Sequence, residues 1–267
     1  MMSKAVRLGL ALALPCVIVT ASAAAAQATA TPPPPAQSKP ADTAALPPAQ
    51  RVIDKHIEAI GGRKALQAHS SVAIKGTMSM PANGLSGTVE MYAARPNKQF
   101  VKMNLAGVGD ISEGYDGTTG WSMSPMTGAM VLSGEELEQK AFNANFDRTL
   151  GMADQYESMK TAEKTTFEGR PVYKLELTRK GGVDVEYYDV ETGLKAGSVV
   201  NVKSQMGTVT ATSTLSDYKK FGDILQPSTI KQVAAGAQII MTFTEMVYDK
   251  VDPAVFELPT AIKAMVK

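Results

Sequence analysis

Two acidic residues on one predicted strand come closest, by type and spacing, to a catalytic pair. Asp184 and Glu186 belong to the segment VDVEYYDV, in which alternate residues share one face of a strand. This spacing puts their carboxyl groups about 7 Å apart, a separation at which paired carboxylates can hydrolyse glycosides. The other interpretation, which we adopt, is a solvated outer face, with Asp189 and Glu191 supporting the turn before Gly193.

The chain has two histidines, and neither completes a recognisable catalytic or metal site. His56 lies within the first predicted helix, where Asp54 and Glu58 do not make a spaced set of metal ligands with it. We interpret His56 and His69 as surface or capping residues. The sequence contains no G-x-S-x-G segment and no glycine-rich phosphate loop. These features predict a protein that has no metal, no cofactor and no catalytic residue.

The first 23 residues have the features of a secretory signal. Lys4 and Arg7 precede an apolar run over residues 8–19, and Ala21-Ser22-Ala23 offers a cleavage site of small residues. The single cysteine of the chain lies inside the apolar run, so the mature protein is expected to contain no disulfide and no thiol nucleophile. The prediction is export to the periplasm, and the alternative is a retained N-terminal anchor.

The next segment, residues 24–50, is rich in alanine, proline, glutamine and threonine. Such a composition cannot bury apolar surface, which predicts a disordered tether followed by one folded domain over residues 51–267. Of the 27 basic residues, removal of Lys4 and Arg7 leaves 25 against 26 acidic residues. Because the charges balance and no basic block stands out, nucleic acid and anionic membrane surfaces are not expected partners.

Two stretches have the spacing of apolar residues that is typical of helices. PPAQRVIDKHIEAIGG predicts a helix that ends at Gly61 and Gly62, with a further turn through Leu66. SGEELEQKAFNANF predicts a second helix, in which Ser133 and Glu136 have the spacing of a capping box. No other part of the chain has a helical pattern.

Nearly all the remaining sequence alternates apolar and polar residues with period two. The alternation is clear in SVAIKGTMSM, GTVEMYA, QFVKMNL, VYKLELT and AQIIMTFTEMVY. In VDVEYYDV it predicts Val183, Val185 and Tyr187 on the apolar face. Glycine-bearing turns such as Asp116-Gly117 separate the segments. The pattern predicts an antiparallel meander of about ten or eleven strands.

Seven segments, taken in order, resemble one family of envelope proteins. They are IDKHIEAIGGRKAL, KGTMSMP, ARPNKQFVKMNL, EGYDGTTGW, YYDVETGL, LSDYKKFGDILQPSTI and VDPAVFELP. In this order they resemble periplasmic proteins of the outer-membrane lipoprotein-sorting type, the LolA/LolB-like superfamily. The resemblance implies a mainly β fold with some α: a strongly curved antiparallel sheet, like an unclosed barrel, with helices plugging its concave face. In characterised relatives an apolar cavity between the sheet and the helices receives acyl chains.

Methionine is concentrated in one part of the chain, which bears on the type of ligand. Seven of the 15 methionines lie between Met78 and Met130, several on the predicted apolar faces of consecutive strands. Methionine is unbranched and polarizable, so a wall of methionines suits a pocket for flexible chains; the alternative is that they fill an irregular core. The side chains predicted to line an apolar cavity are Met78, Met80, Met91, Val101, Met103, Trp121, Met130, Leu137 and Phe142.

The resulting hypothesis is a non-enzymatic periplasmic carrier or binding protein for lipid or acylated lipoprotein cargo. The expected protein is a monomer, and an inner- or outer-membrane protein is a further candidate partner. The cargo is expected to displace the helix around Leu137 and Phe142. One alternative is a structural or interaction subunit of an envelope complex that holds no lipid. Another is a hydrolase that uses Asp184 and Glu186.

Overall fold

The computed structural model describes residues 45–204 and 207–266. The predicted signal, and the predicted tether up to residue 44, lie outside the described residues. Within them the chain forms one unclosed, curved sheet of thirteen antiparallel strands. The sequence predicted ten or eleven strands, because a strand as short as β6 (Gly128–Val131) has too few residues to show an alternation.

The strands follow the order β6-β5-β4-β3-β2-β1-β13-β12-β11-β10-β9-β8-β7 across the sheet. Their bounds are β1 Ser71–Met80, β2 Leu85–Ala94, β3 Lys98–Leu105, β4 Gly109–Tyr115, β5 Gly120–Ser124, β6 Gly128–Val131, β7 Ser158–Phe167, β8 Arg170–Arg179, β9 Gly182–Asp189, β10 Lys195–Ser204, β11 Gly207–Phe221, β12 Ile224–Ala234 and β13 Ala237–Tyr248. Strands that are consecutive in the sequence are adjacent in the sheet, except β6 and β7, which form its two edges. The pairing of β1 with β13 joins the two halves of the chain.

Short helices accompany the sheet. The α-helices among the described residues are α1 Ala49–Ala59, α2 Gly62–Ala68, α3 Gly134–Asn143, α4 Met152–Gln155 and α5 Thr260–Lys263. Short 3-10 helices lie at Pro81–Asn83 and Pro253–Phe256. No helix in this part of the chain has the length and hydropathy needed to cross a membrane.

Both predicted helices are present, with one correction. In α1 the residues Val52, Ile53 and Ile57 share one face, and that face is buried. Each side chain of this size contributes about 1.5–3 kcal/mol when it is buried, which explains why α1 lies on the sheet. The predicted capping box at α3 is wrong: Ser133 occupies the N-cap position, but its side chain makes no capping hydrogen bond.

Two hydrophobic clusters form the core. The methionine cluster consists of Met78, Met80, Val89, Met91, Val101, Met103, Leu105, Ile239, Met241 and Phe243. The helix-side cluster consists of Ala49, Val52, Ile53, Ile57, Met152, Tyr156, Leu175, Leu177 and Tyr188. The first joins β1, β2, β3 and β13, and the second packs α1 and α4 on β8 and β9. The period-two prediction is therefore correct for β1–β3, β8 and β13.

On β9 the predicted faces are reversed. Asp184 and Glu186 are buried, with 3% and 4% of their surface exposed, whereas Val183 is 43% exposed. The interpretation of the acidic pair as a solvated outer face is wrong. The physical reason is that each carboxylate is paired with a cation, which offsets the cost of removing it from water.

Candidate functional site

A cavity of about 370 Å³ lies against one face of the sheet. The segments lining it opposite the strands are α1, α2 and residues 144–151 between α3 and α4, here called the α3–α4 loop. Residues of both hydrophobic clusters line it: Met91 and Met241 come from the methionine cluster, and Met152 and Tyr188 come from the helix-side cluster. The cavity is therefore space that neither cluster fills.

The lining divides into an apolar and a polar wall. The apolar wall comes from β1, β2, β12 and β13 and includes Ile74, Met91, Ile230, Met241, Phe243 and Met246. The polar wall comes from β9, β10 and β11 and includes Glu186, Tyr188, Lys195, Ser198, Ser213 and Tyr218. A ligand that matches this lining has an apolar part and a polar part.

Glu186 is held as an ion within the polar wall. Its carboxylate accepts hydrogen bonds from Lys195 Nζ at 2.5 Å and from the hydroxyl of Tyr188. Burial alone raises the pKa of Glu186, but the charges of Lys195 and Arg148 and these hydrogen bonds outweigh burial and lower it to about 2. A carboxylate that stays ionised at neutral pH cannot donate the proton that glycoside hydrolysis requires of one partner.

Asp184 belongs to a second buried polar group. Its Oδ2 accepts a hydrogen bond from Arg179 Nε at 2.9 Å and from Tyr156 Oη at 3.3 Å. Tyr156 Oη in turn accepts a hydrogen bond from Arg148 Nη2 at 3.1 Å. The guanidinium groups of Arg148 and Arg179 lie 4.8 and 4.9 Å from the ring centre of Phe142. Asp184 therefore serves to hold Arg179 and Tyr156.

Both histidines line the cavity, and the interpretation of His56 as a surface or capping residue is wrong. His56 is buried, and its Nδ1 lies 3.1 Å from the carbonyl oxygen of Gly193. Burial, with the charge of Lys195, lowers the pKa of His56 to about 4, so its ring is neutral and Nδ1–H donates this bond.

His69 is held between two carboxylates. Its Nδ1 lies 2.7 Å from Asp249 Oδ2, and its Nε2 lies 2.7 Å from Asp223 Oδ1. The hydrogen bond to Asp249 is the largest of the effects that raise the pKa of His69. When the ring is protonated, both of its nitrogens donate to these carboxylates, and the ring stacks on Tyr248.

The nine side chains predicted to line the cavity lie in several places. Met91 lines the cavity and packs in the methionine cluster beside Met78, Met80, Val101 and Met103. Phe142 packs against the helix-side cluster. Trp121 is buried near Phe100, with ring centres 5.8 Å apart, and Leu137 of α3 faces Gly120. Met130 is partly buried on β6. The structure brings five of the nine together, in the methionine cluster.

The sequence-based prediction omitted the polar lining. Gln99 on β3 could have been predicted to face the cavity, since period two puts it on the same face as Val101 and Met103. No local pattern signals Arg148, because it lies in the α3–α4 loop and reaches the cavity through the tertiary fold. Within the described residues, no group of three His, Cys, Asp or Glu side chains could hold a metal ion.

Comparisons with known proteins identify the fold. No protein-family model matches the chain, and no curated protein matches it. A DUF1329 family protein from Desulfovibrio piger has a similar structure, with a TM-score of 0.55 and 14% identity over 79% of this chain and 98% of that one. A LolA superfamily protein from Nitrosomonas europaea has a TM-score of 0.53 and 15% identity over 80% of this chain and 99% of that one. The resemblance inferred from the sequence is confirmed for the architecture: this chain has the fold of LolA superfamily proteins.

Proposed function

We propose that the protein is a non-enzymatic carrier or binding protein for lipid or acylated cargo. The single observation that carries this proposal is the cavity of about 370 Å³ between the sheet and its covering segments. Ligand pockets in proteins have volumes of about 300–1,000 Å³, so this cavity is within the range of a small ligand. Its apolar wall suits an acyl chain.

Binding would work by mass action. Each methylene group of an acyl chain that leaves water for the apolar wall contributes about 0.8 kcal/mol. Met91, Met241 and Met246 supply flexible side chains that adapt to such a chain. The ion pairs of Asp184 with Arg179 and of Glu186 with Lys195 support a non-enzymatic role, because both carboxylates of the candidate pair are already engaged by cations of the protein.

The same proposal assigns the protein to the periplasm, where it would receive cargo from one membrane and release it to another. The signal-like composition of residues 1–23 supports export. The cargo would be a lipid or the acyl chains of a lipoprotein, handed over by an inner- or outer-membrane protein. The α3–α4 loop, which lines the cavity, would contact the cargo, and the helix around Leu137 and Phe142 is the segment we expect the cargo to displace.

A binding measurement tests the proposal. The purified protein is stripped of lipid and titrated with a fluorescent long-chain fatty acid, and lipid in the native protein is identified by mass spectrometry. We expect saturable uptake, and we expect Ala93→Phe, which fills the cavity, to weaken it about tenfold or more. Ala82→Phe, in the exposed 3-10 helix Pro81–Asn83, is the matched control and should bind as the parent does.

Two outcomes would count against a carrier. If the stripped protein takes up no fatty acid and the native protein contains no lipid, the carrier proposal is abandoned. That result would favour a structural or interaction subunit that uses the same fold. If Ala93→Phe binds as tightly as Ala82→Phe, the chain binds elsewhere and the cavity is not the site.

A further inference from the structure

Arg148 is a cation of the cavity lining that makes no direct contact with a carboxylate among the described residues, although the charges of Glu186 and Asp184 act on it through space. Its guanidinium contacts neutral groups: Tyr156 Oη at 3.1 Å, Asn143 Oδ1 at 3.4 Å and the ring of Phe142. Among the described residues it forms no ion pair, whereas Arg179 is paired with Asp184. A guanidinium whose N–H groups are not hydrogen-bonded to a carboxylate retains the capacity to bind one from a ligand.

The backbone on both sides of Arg148 is fixed by hydrogen bonds. The carbonyl oxygen of the preceding residue, Asp147, accepts a hydrogen bond from Gly151 N–H at 2.9 Å, and the Asp147 carboxylate accepts two from Arg95, at 2.8 and 2.6 Å. The carbonyl oxygen of Arg148 itself accepts a hydrogen bond from Gln155 Nε2 at 3.1 Å. Because the loop is held before any ligand arrives, little ordering is needed for the guanidinium to bind an anion.

Gln99 is a second, independent indication of a ligand. This residue of β3 lines the same cavity, and only 1% of its surface is exposed. Its side-chain oxygen Oε1 has no hydrogen-bond donor within the part of the chain that the structure describes. Buried polar atoms in folded proteins nearly always have a partner, so an acceptor at a cavity wall suits a donor from a bound molecule.

We propose that the polar end of the ligand carries both an acidic group and an N–H or O–H donor. Arg148 would bind the acidic group, Gln99 would accept the donor, and the acyl chain would lie on the apolar wall. This inference rests on the proposed carrier function and narrows it to one class of ligand. An acylated amino acid and a lysophospholipid share this chemistry, since each combines an anion with an amide or hydroxyl donor.

Four ligands with the same saturated acyl chain separate the two contacts. The methyl ester has neither an anion nor a donor, the monoacylglycerol has a donor only, the fatty acid has an anion only, and the N-acylglycine has both. We expect N-acylglycine to bind the parent protein most tightly and the methyl ester most weakly. Adding lysophosphatidylglycerol with the same chain shows whether a carboxylate or a phosphate is preferred.

Two substitutions assign each contact. Arg148→Gln should weaken the fatty acid and N-acylglycine about tenfold or more and leave the methyl ester unchanged, while Arg148→Lys should recover part of the loss. Gln99→Leu should weaken N-acylglycine and monoacylglycerol severalfold without affecting the fatty acid. Arg51→Gln and Gln67→Leu, at exposed positions, are the matched controls and should change nothing.

The outcomes distinguish this inference from the carrier function. If none of the ligands binds, the carrier function itself fails. If all four bind the parent protein equally, the carrier function stands and the headgroup inference is overturned. The same conclusion follows if Arg148→Gln and Arg51→Gln reduce the binding of anions equally, because the effect is then one of net charge.

Discussion

At the scale of single residues, polar partners decide which side chains enter the core. Alternation on β9 predicted valine inside and carboxylates outside, yet Asp184 and Glu186 are buried. The valine face of VDVEYYDV is the more apolar one, although Tyr188 lies on the acidic face, so alternation alone would bury the valines. The partners Arg179 and Lys195 then determine the outcome, and strand periodicity contains no information about them.

His56 provides a prediction about pH at this scale. The unfolded chain binds a proton at this residue below pH 6.5, but the folded protein does so only below about 4. The stability that depends on a neutral His56 is therefore complete above pH 6.5 and falls as the pH drops through that window. By pH 5 the loss should be about 2 kcal/mol. Urea unfolding should show the stability gap between the parent and His56→Gln narrowing from pH 7.5 to pH 5.

His69 serves as the control because its pKa is shifted in the opposite direction. A raised pKa contributes stability that is complete below pH 6.5 and is lost as the pH rises through the folded value. The gap between the parent and His69→Gln should therefore widen from pH 7.5 to pH 5, by about 1 kcal/mol or less, since Asp223 and Asp249 are exposed. If the stability differences for His56→Gln and His69→Gln change with pH in the same direction, the opposite pKa shifts of the two histidines are contradicted.

At the scale of elements, the sequence explains the conformation of two turns, but not the packing of the second one. In EGYDGTTGW, Asp116 Oδ1 accepts hydrogen bonds from the backbone N–H groups of Thr118 and Thr119. In YYDVETGL, Asp189 does the same for Thr192. These turns were predictable from Asp and Gly alone. The second turn also packs on α1 through Lys55. This contact depends on the tertiary fold, so it was not predictable from the residues of the turn.

The attachment of α3 provides a prediction at this scale. Lys140 of α3 and Glu113 of β4 form an ion pair in which both side chains are almost fully buried. Lys140→Met or Glu113→Leu alone should lower the free energy of unfolding by about 3–5 kcal/mol, because each removes the opposite charge of this ion pair from a buried charge. The double variant should be more stable than either single variant. Urea unfolding of all three measures the coupling.

The exposed pair Lys75–Glu245 is the matched control for this cycle. Its single and double variants should each change stability by less than about 1 kcal/mol, because water solvates both partners. If the losses at Lys140 and Glu113 simply add in the double variant, the ion pair does not hold α3 on β4.

At the scale of the whole molecule, the fold was more predictable than its cavity. Period-two segments predicted a long antiparallel sheet, and their order carried the resemblance to the LolA/LolB-like superfamily. The cavity depends on how the α3–α4 loop and α1 lie over the sheet, and no periodicity encodes that volume. Met91 belongs both to the predicted lining and to this cavity, and strand alternation could have added Gln99, whereas Arg148 was not predictable from any local pattern.

Met241 tests whether the molecule behaves as one unit. It lies on β13, which joins the two halves of the sheet, and it is buried in the methionine cluster. Met241→Ala should cost about 2–5 kcal/mol. Urea unfolding followed by Trp121 fluorescence and by far-UV circular dichroism should give coincident transitions, because the substitution destabilises the centre of the sheet, which both halves share.

Met126→Ala is the matched control, since Met126 is 77% exposed. Its stability should stay within about 0.5 kcal/mol of the parent protein. If Met241→Ala separates the fluorescence transition from the circular dichroism transition, the two halves of the sheet unfold independently.

The pairing of the first strand with the last has a consequence for biosynthesis. Val72 of β1 has Tyr248 as its partner, so a nascent chain on the ribosome lacks one side of the sheet centre until β13 has been made. Until then both β1 and β12 are bare edges, and the contacts between them are among the most distant in the sequence. The centre of the sheet can therefore be completed only after β13 has been synthesised, so the two halves of the chain meet late in translation.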